Sequence, residues 1–197
     1  MANEQDKQIH QAEKDAIVIR DAQEEDQPNI ERLLLEAYGQ YEEVMAGERW
    51  LAYRESIRDS VYKEGPVARI VAELNGEIVG SVQMFLDSEV AYGRSDLNIQ
   101  DPIIRLLATS PQARGRGVAT LLIRESIERS RQLGGEMLYL HSSDLMAPAI
   151  RLYEHLGFVR TPEKEMLNGT TLVKCFSIPL HPEKAGARTV EAAQAAE

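Results

Sequence analysis

Residues 106–122 read LLATSPQARGRGVATLL. The apolar run Ile103 to Ala108, broken only by Arg105, predicts a buried strand. A polar turn from Thr109 to Gly117 follows it. Ala119, Leu122, Ile123 and Ile127 then line the inner face of a helix expected over 117–132, which Gly134-Gly135 ends. The start of a helix leaves backbone N–H groups without carbonyl partners, and the helix dipole adds partial positive charge there. Gly115 and Gly117 have no Cβ, so an anion can come close to the backbone. Arg114 and Arg116 add fixed charge. Together these features predict a site for a phosphate or pyrophosphate group.

Two common nucleotide loops are excluded. The Walker pattern ends in Gly-Lys-Ser/Thr, whereas Gly117 is followed by Val118 and Ala119. The dinucleotide pattern needs GxGxxG directly after the strand. GRGVAT lacks its third small residue, and the turn before it is too long.

Strand and helix patterns alternate on both sides of this stretch. Ile17, Val18 and Ile19 predict a first strand. IERLLLEAY, with Ile30, Leu33, Leu34 and Ala37 at helical spacing, predicts a helix. GERWLAYRESIRDSVY predicts a second helix, stopped by Gly65-Pro66. Ile70, Ala72 and Leu74, then Ile78, Val82, Met84 and Leu86, alternate around Asn75-Gly76, the favoured two-residue hairpin turn. Residues 88–101 are polar and read as a loop. Met137 to His141 reads as a strand and 146–156 as a short helix. Phe158–Arg160 and Leu172–Ile178 complete the strands, the last preceded by a second turn at Asn168-Gly169. This order predicts an α/β or α+β domain built on a mixed sheet. The expected organisation is a disordered lead-in over 1–14, one domain over 15–180 and a flexible Ala/Glu-rich tail over 181–197.

Composition limits the function. Of 197 residues, 43% are hydrophobic and 27% charged, so the chain has globular composition and can bury a core without staples. Lys and Arg number 22 against 32 Asp and Glu, a net charge of −10, which argues against general binding to nucleic acid or an anionic membrane. The single cysteine, Cys175, excludes an internal disulfide and a multi-cysteine zinc site. Four scattered histidines argue against a metal centre. The polar N-terminus is no signal peptide, and the expectation is a cytoplasmic protein.

Gln112-Ala113-Arg114-Gly115-Arg116-Gly117 resembles the Q/R-x-x-G-x-G/A signature of the GNAT superfamily of acyl-CoA N-acyltransferases. Ala149 to Phe158, AIRLYEHLGF, is similar to a second signature of that family, A-x-x-L-Y-x-x-x-G-F. One helix and one strand separate the two. Gly80 in the hairpin and Arg20 in the first strand fit as well, so the resemblance covers roughly residues 16–180. It implies a GNAT-like mixed, mostly antiparallel sheet with splayed central strands, flanked by helices. It also implies acetyl-CoA as cosubstrate and a primary amine as acceptor, the amine attacking the thioester directly in a ternary complex.

The resemblance implies roles for named residues. The pantetheine arm pairs with the backbone of Leu107, Ala108 and Thr109. The phosphates meet the loop from Gln112 through Arg114, Gly115, Arg116 and Gly117 to Val118. The Leu107 N–H stabilises the oxyanion. Tyr153 protonates the leaving thiolate, a task that suits a phenol, whose pKa is about 10. On periodicity alone, Tyr153 reads instead as a core aromatic on the stripe Met146, Ala149, Ile150, Tyr153, Leu156. Many members of the family use a glutamate base near the start of the strand before the loop, or a water chain. The matching stretch here, DPIIRLL, holds no glutamate. His141 and Asp144 are the substitute bases; as ordinary residues they are a packed strand histidine and a helix N-terminal aspartate. Glu42, Glu43 and Glu48, with Asp87 and Glu89, either draw a cationic amine or form solvated surface. Tyr38, Tyr41, Trp50 and Tyr53 either line an acceptor pocket or pack the first two helices together. Cys175 reads as a small buried hydrophobe. A homodimer is compatible with the family. The rival function is a non-catalytic acyl-CoA sensor or partner-binding module on the same fold.

Overall fold

The computed structural model describes residues 16–45 and 47–181. The expected lead-in over 1–14, and all of the expected tail except His181, lie outside the described residues. Five helices are present among those residues: α1 (Gln27–Gly39), α2 (Gly47–Tyr62), α3 (Ser88–Tyr92), α4 (Val118–Gln132) and α5 (Ala147–His155). The strands are β1 (Ile17–Asp21), β2 (Ala68–Leu74), β3 (Glu77–Phe85), β4 (Ile103–Thr109), β5 (Met137–Ser142), β6 (Val159–Arg160), β7 (Met166–Asn168) and β8 (Thr171–Pro179).

The strands form one open, mixed sheet in the order β1-β2-β3-β4-β5-β8-β6, with β7 also paired to β8. The β1–β2, β5–β8, β6–β8 and β7–β8 pairs are antiparallel. β4 and β5 are parallel, in the register Ile103↔Tyr139 and Ile104↔Leu140. A parallel pair needs a long crossover, and α4 lies in the connection between these two strands. The expected mixed, mostly antiparallel α/β architecture is what the chain forms.

Local chemistry accounts for the turns and ends. Asn75 and Gly76 have φ of 54° and 79°, as a primed hairpin turn requires. The expectation of a plain loop over 88–101 is corrected. α3 forms there because the Asp87 side chain accepts the Val90 N–H at 2.8 Å and Gly93, at φ 66°, ends the helix in the left-handed region. A single 3-10 turn, Ser95–Leu97, follows. The alternation in β2 does not mark one buried face, since Ile70, Val71 and Ala72 are all buried.

The described residues group into two compact units. One holds residues 16–45, 47–83 and 106–123; the other holds 84–105 and 124–181. In the first unit Ile30, Leu33, Leu34, Ile57, Val61, Ile70, Val118 and Leu122 are buried. The link from β1 to α1 in this core is tied by charge. Asp26 accepts two bonds from the Arg20 guanidinium, at 2.6 and 3.1 Å, and one from the Gln23 N–H at 2.8 Å. The Arg20 bonds chiefly hold its carboxyl below the usual carboxylate value. In the second unit the core includes Ile103, Leu138, Leu140, Phe158, Cys175 and Phe176.

Gly80 on β3 is closely packed in the first unit. A Cβ built there would lie 2.5 Å from Val118 Cγ1, 3.0 Å from Leu122 Cδ1 and 3.3 Å from the Ala108 carbonyl oxygen. Gly80→Ala must therefore displace the stiff Val118 side chain. The expected loss is about 1–3 kcal/mol, read as a Tm lowered by roughly 2–10 °C in a thermal melt. An unchanged Tm would show that the contact yields freely.

Candidate functional site

In the first unit the site is built where β4 bends into the turn before α4. Leu106 has φ 51°, a left-handed value that costs a residue with a Cβ about 1–2 kcal/mol. Beyond the bend, the Ser110 N–H donates to the Val79 carbonyl at 2.8 Å. Peptide groups along a strand alternate between its two edges. Ala108 and Ser110 therefore face β3, and Leu107 and Thr109 face the opposite edge. At that edge the Tyr38 hydroxyl donates to the Leu107 carbonyl at 3.1 Å.

The turn itself is well defined. The Ala113 N–H donates to the Ser110 carbonyl at 3.0 Å, closing a 3-10 turn over Pro111–Ala113. Gly115 and Gly117 follow with φ of 77° and 80°. A Cβ at either position would meet nothing within 4 Å, so the need for glycine is conformational and the space beside the backbone is open. Leu121 N–H donates to the Gly117 carbonyl at 3.0 Å, which opens α4. Arg114, Gly115, Arg116 and Gly117 are exposed, while Val118 is buried. Gln112 is committed to the protein. Its Oε1 pairs with the Ser110 hydroxyl and its Nε2 donates to Glu36 at 3.2 Å, which ties the turn to α1. The geometry suits an anion. Backbone N–H groups of the first helical turn, two arginines and the open side of two glycines converge on one exposed turn.

The aromatic residues beside it pack on one another. The Tyr38 ring lies 6.0 Å from Tyr53, edge-on at 83°, and 6.2 Å from Tyr41. Trp50 lies 6.3 Å from Tyr53. Thus the four residues join α1, α2 and the segment between them. Glu42, Glu43 and Glu48 are exposed.

In the second unit Tyr153 is buried on α5, at 6.1 Å from the Phe158 ring and 6.4 Å from Phe176. His141 on β5 is held at both ring nitrogens. Nε2 is 2.9 Å from the Lys164 carbonyl, and Nδ1 is 3.1 Å from the Tyr92 hydroxyl. A carbonyl only accepts, so Nε2 carries the proton and Nδ1 accepts from Tyr92. Burial pushes the His141 pKa down, and the charge of Arg105 adds to that. The Lys164 carbonyl and Glu165 act in the opposite direction. The lone pair a base would use is already taken. Asp144, the other base candidate, is exposed and paired with the Lys174 ammonium. It sits in a 3-10 turn just before α5.

Sequence reading missed the partners of His141. The Arg105 guanidinium stacks 4.5 Å from the Tyr92 ring centroid and 5.5 Å from Phe85, and it donates to the Ala91 carbonyl. Lys164 Nζ donates to the Leu97 and Asn98 carbonyls at 3.0 and 2.9 Å. Asp87 and Glu89 line a separate cavity of about 470 Å³ together with Asn98, Asp101 and Gly134. Among the described residues no cluster of three or more His, Cys, Asp or Glu could hold a metal ion. No described helix is long and apolar enough to cross a membrane.

A family model described as the Acetyltransferase (GNAT) family matches residues 28–158. The chain is 33% identical over 98 residues to the uncharacterized N-acetyltransferase YjgM of Escherichia coli K12, covering 50% of this chain and 54% of that one. It is 33% identical over 96 residues to rat N-acetyltransferase 8, covering 49% of this chain and 41% of that one. The match therefore spans about half the length of these curated relatives. Among solved structures, the PaiA N-acetyltransferase of Thermoplasma acidophilum in complex with coenzyme A superposes with a TM-score of 0.60 at 13% identity, covering 81% of this chain and 98% of that one.

His141 gives a test of the second unit. Its folded pKa lies below the unfolded value of about 6.5. As pH falls through about 6.5, the unfolded chain gains a proton that the buried ring resists. The stability held at neutral pH is therefore lost on acidification, down to the folded pKa. Thermal melts of His141→Gln at pH 7 and pH 5 should show a smaller acid-induced drop in Tm than the unsubstituted protein. Equal drops would mean that His141 does not carry this dependence.

Proposed function

The chain belongs to the acetyltransferase (GNAT) family, and on that premise we propose that it moves an acetyl group from acetyl-CoA to a primary amine by direct attack in a ternary complex. The observation that carries this is the exposed turn from β4 into α4. Its two left-handed glycines, two arginines and helix N-terminus suit the pyrophosphate of coenzyme A. The phosphates rest on the turn from Arg114 to Val118, in which the Arg114 and Arg116 N–H groups donate to the Pro111 and Ala113 carbonyls at 3.4 Å each and the two arginine side chains supply positive charge. The pantetheine arm runs along β4, where the peptide groups of Leu107 and Thr109, rather than Ala108, face away from β3.

The amine nitrogen attacks the thioester carbon and the carbonyl oxygen gains negative charge. The Leu107 N–H stabilises that oxyanion. The C–S bond then breaks and the thiolate takes the Tyr153 phenol proton, giving the N-acetyl amine and free CoA thiol. Phe158 and Phe176 fix the Tyr153 ring. The proton lost by the amine goes to His141 only when the Tyr92 hydroxyl leaves Nδ1, and to Asp144 only when Lys174 releases it. A water relay is the third route.

Isothermal titration with acetyl-CoA, with ATP and NAD as controls, tests the loop. Binding of acetyl-CoA alone is expected, and no binding by folded protein overturns the proposal. Tyr153→Phe should then lower kcat on the order of 100-fold while leaving the Kd for acetyl-CoA within about twofold. Unchanged turnover removes Tyr153 from the acid role.

A further inference from the structure

β4 contains a left-handed residue that is not glycine, and the peptide next to it is gripped from outside the sheet. The geometry points to Tyr38 as a positioning residue, one that sets the direction of the Leu107 amide toward the thioester carbonyl of acetyl-CoA. This rests on the acetyl-transfer reading above and adds a residue that neither family signature contains.

Leu106, at φ 51°, breaks the regular course of the strand one residue before Leu107. Such a bend persists only where its surroundings fix it. On the β3 side the fixing comes from the Ser110–Val79 bond at 2.8 Å. On the other edge it comes from Tyr38, whose hydroxyl donates to the Leu107 carbonyl at 3.1 Å. In an extended strand the N–H and C=O of one residue lie along the same edge. Holding the Leu107 carbonyl therefore also sets where the Leu107 N–H points.

Tyr38 is built to hold a fixed position. It is buried on α1 and its ring is bracketed by Tyr53 at 6.0 Å and Tyr41 at 6.2 Å. A phenol with two restrained torsions presents its oxygen with little freedom. The Leu107 carbonyl keeps a second lone pair, so the bond from Tyr38 leaves room for an amide donor of the pantetheine arm.

Tyr38→Phe removes one oxygen and keeps the ring. The test is isotope-edited infrared spectroscopy of acetyl-CoA labelled with ¹³C at the thioester carbonyl, bound to the full chain. In the unsubstituted protein the carbonyl stretch falls on binding, as a hydrogen bond to the amide requires. In Tyr38→Phe it lies nearer the free value, while the Kd for CoA lacking the acetyl group stays within about twofold. For any amine that the protein acetylates, kcat falls about five- to tenfold. A merely structural tyrosine would shift CoA affinity or Tm and leave the stretch unmoved. Tyr53→Phe keeps the Tyr38 hydroxyl and should retain the low stretch. An unshifted stretch in folded Tyr38→Phe, or an equal shift in Tyr53→Phe, overturns the positioning role. An unsubstituted protein that binds no acetyl-CoA overturns the acetyl-transfer reading instead, and the positioning role with it.

Discussion

The place of the exposed turn before α4 depends on the absence of a side chain at Gly80. Val118 and Leu122 approach β3 so closely at this point that a methyl group would overlap the valine. Both residues are fully buried in the first turns of α4. Close seating of the helix start fixes the end of the turn that precedes it. The other end is fixed by β4, through the Ser110–Val79 bond. Between these anchors only Gly115 and Gly117 need unusual torsions, and glycine supplies them without strain. The arginines can then stand exposed on a defined backbone, in a chain whose net charge of −10 would otherwise repel a polyphosphate.

Features carried by neighbouring residues were legible in the sequence. The helix α2 follows from its apolar spacing, the β2–β3 hairpin from Asn75-Gly76, and the turn before α4 from its glycines. The two family motifs then placed these elements in one fold. α3 was legible too, in Asp87 as a cap and Gly93 as a stop, but polar composition over 88–101 concealed it. The bond from Tyr38 to Leu107 was not legible, because it joins residues 69 apart and no periodicity connects them. The state of His141 was hidden for the same reason. Its burial and tautomer are set by Tyr92, which the sequence places in a loop, and by Lys164, in a stretch that carries no sequence pattern of its own.

That histidine belongs to a polar chain running through the second unit. Arg105 covers the Tyr92 ring, Tyr92 meets His141, His141 meets the Lys164 backbone, and the Lys164 ammonium returns to the 97–98 carbonyls. Each link satisfies a polar group that partial burial would otherwise leave costly. The result ties α3 and the turn after it to β5 and to the 162–164 turn. His141, a base candidate on the sequence, is therefore also a strut between these elements.

The one thiol of the protein has a practical consequence. Cys175 is fully buried on β8, and burial pushes its pKa up to about 12. At neutral or mildly alkaline pH it exists as the unreactive thiol, shielded from reagents in solution. An aromatic disulfide dye added to the native protein therefore has no internal target. In an assay of the proposed acetyl transfer, colour thus reports coenzyme A set free with no blank from the protein itself, and a slow extra equivalent marks molecules that have unfolded.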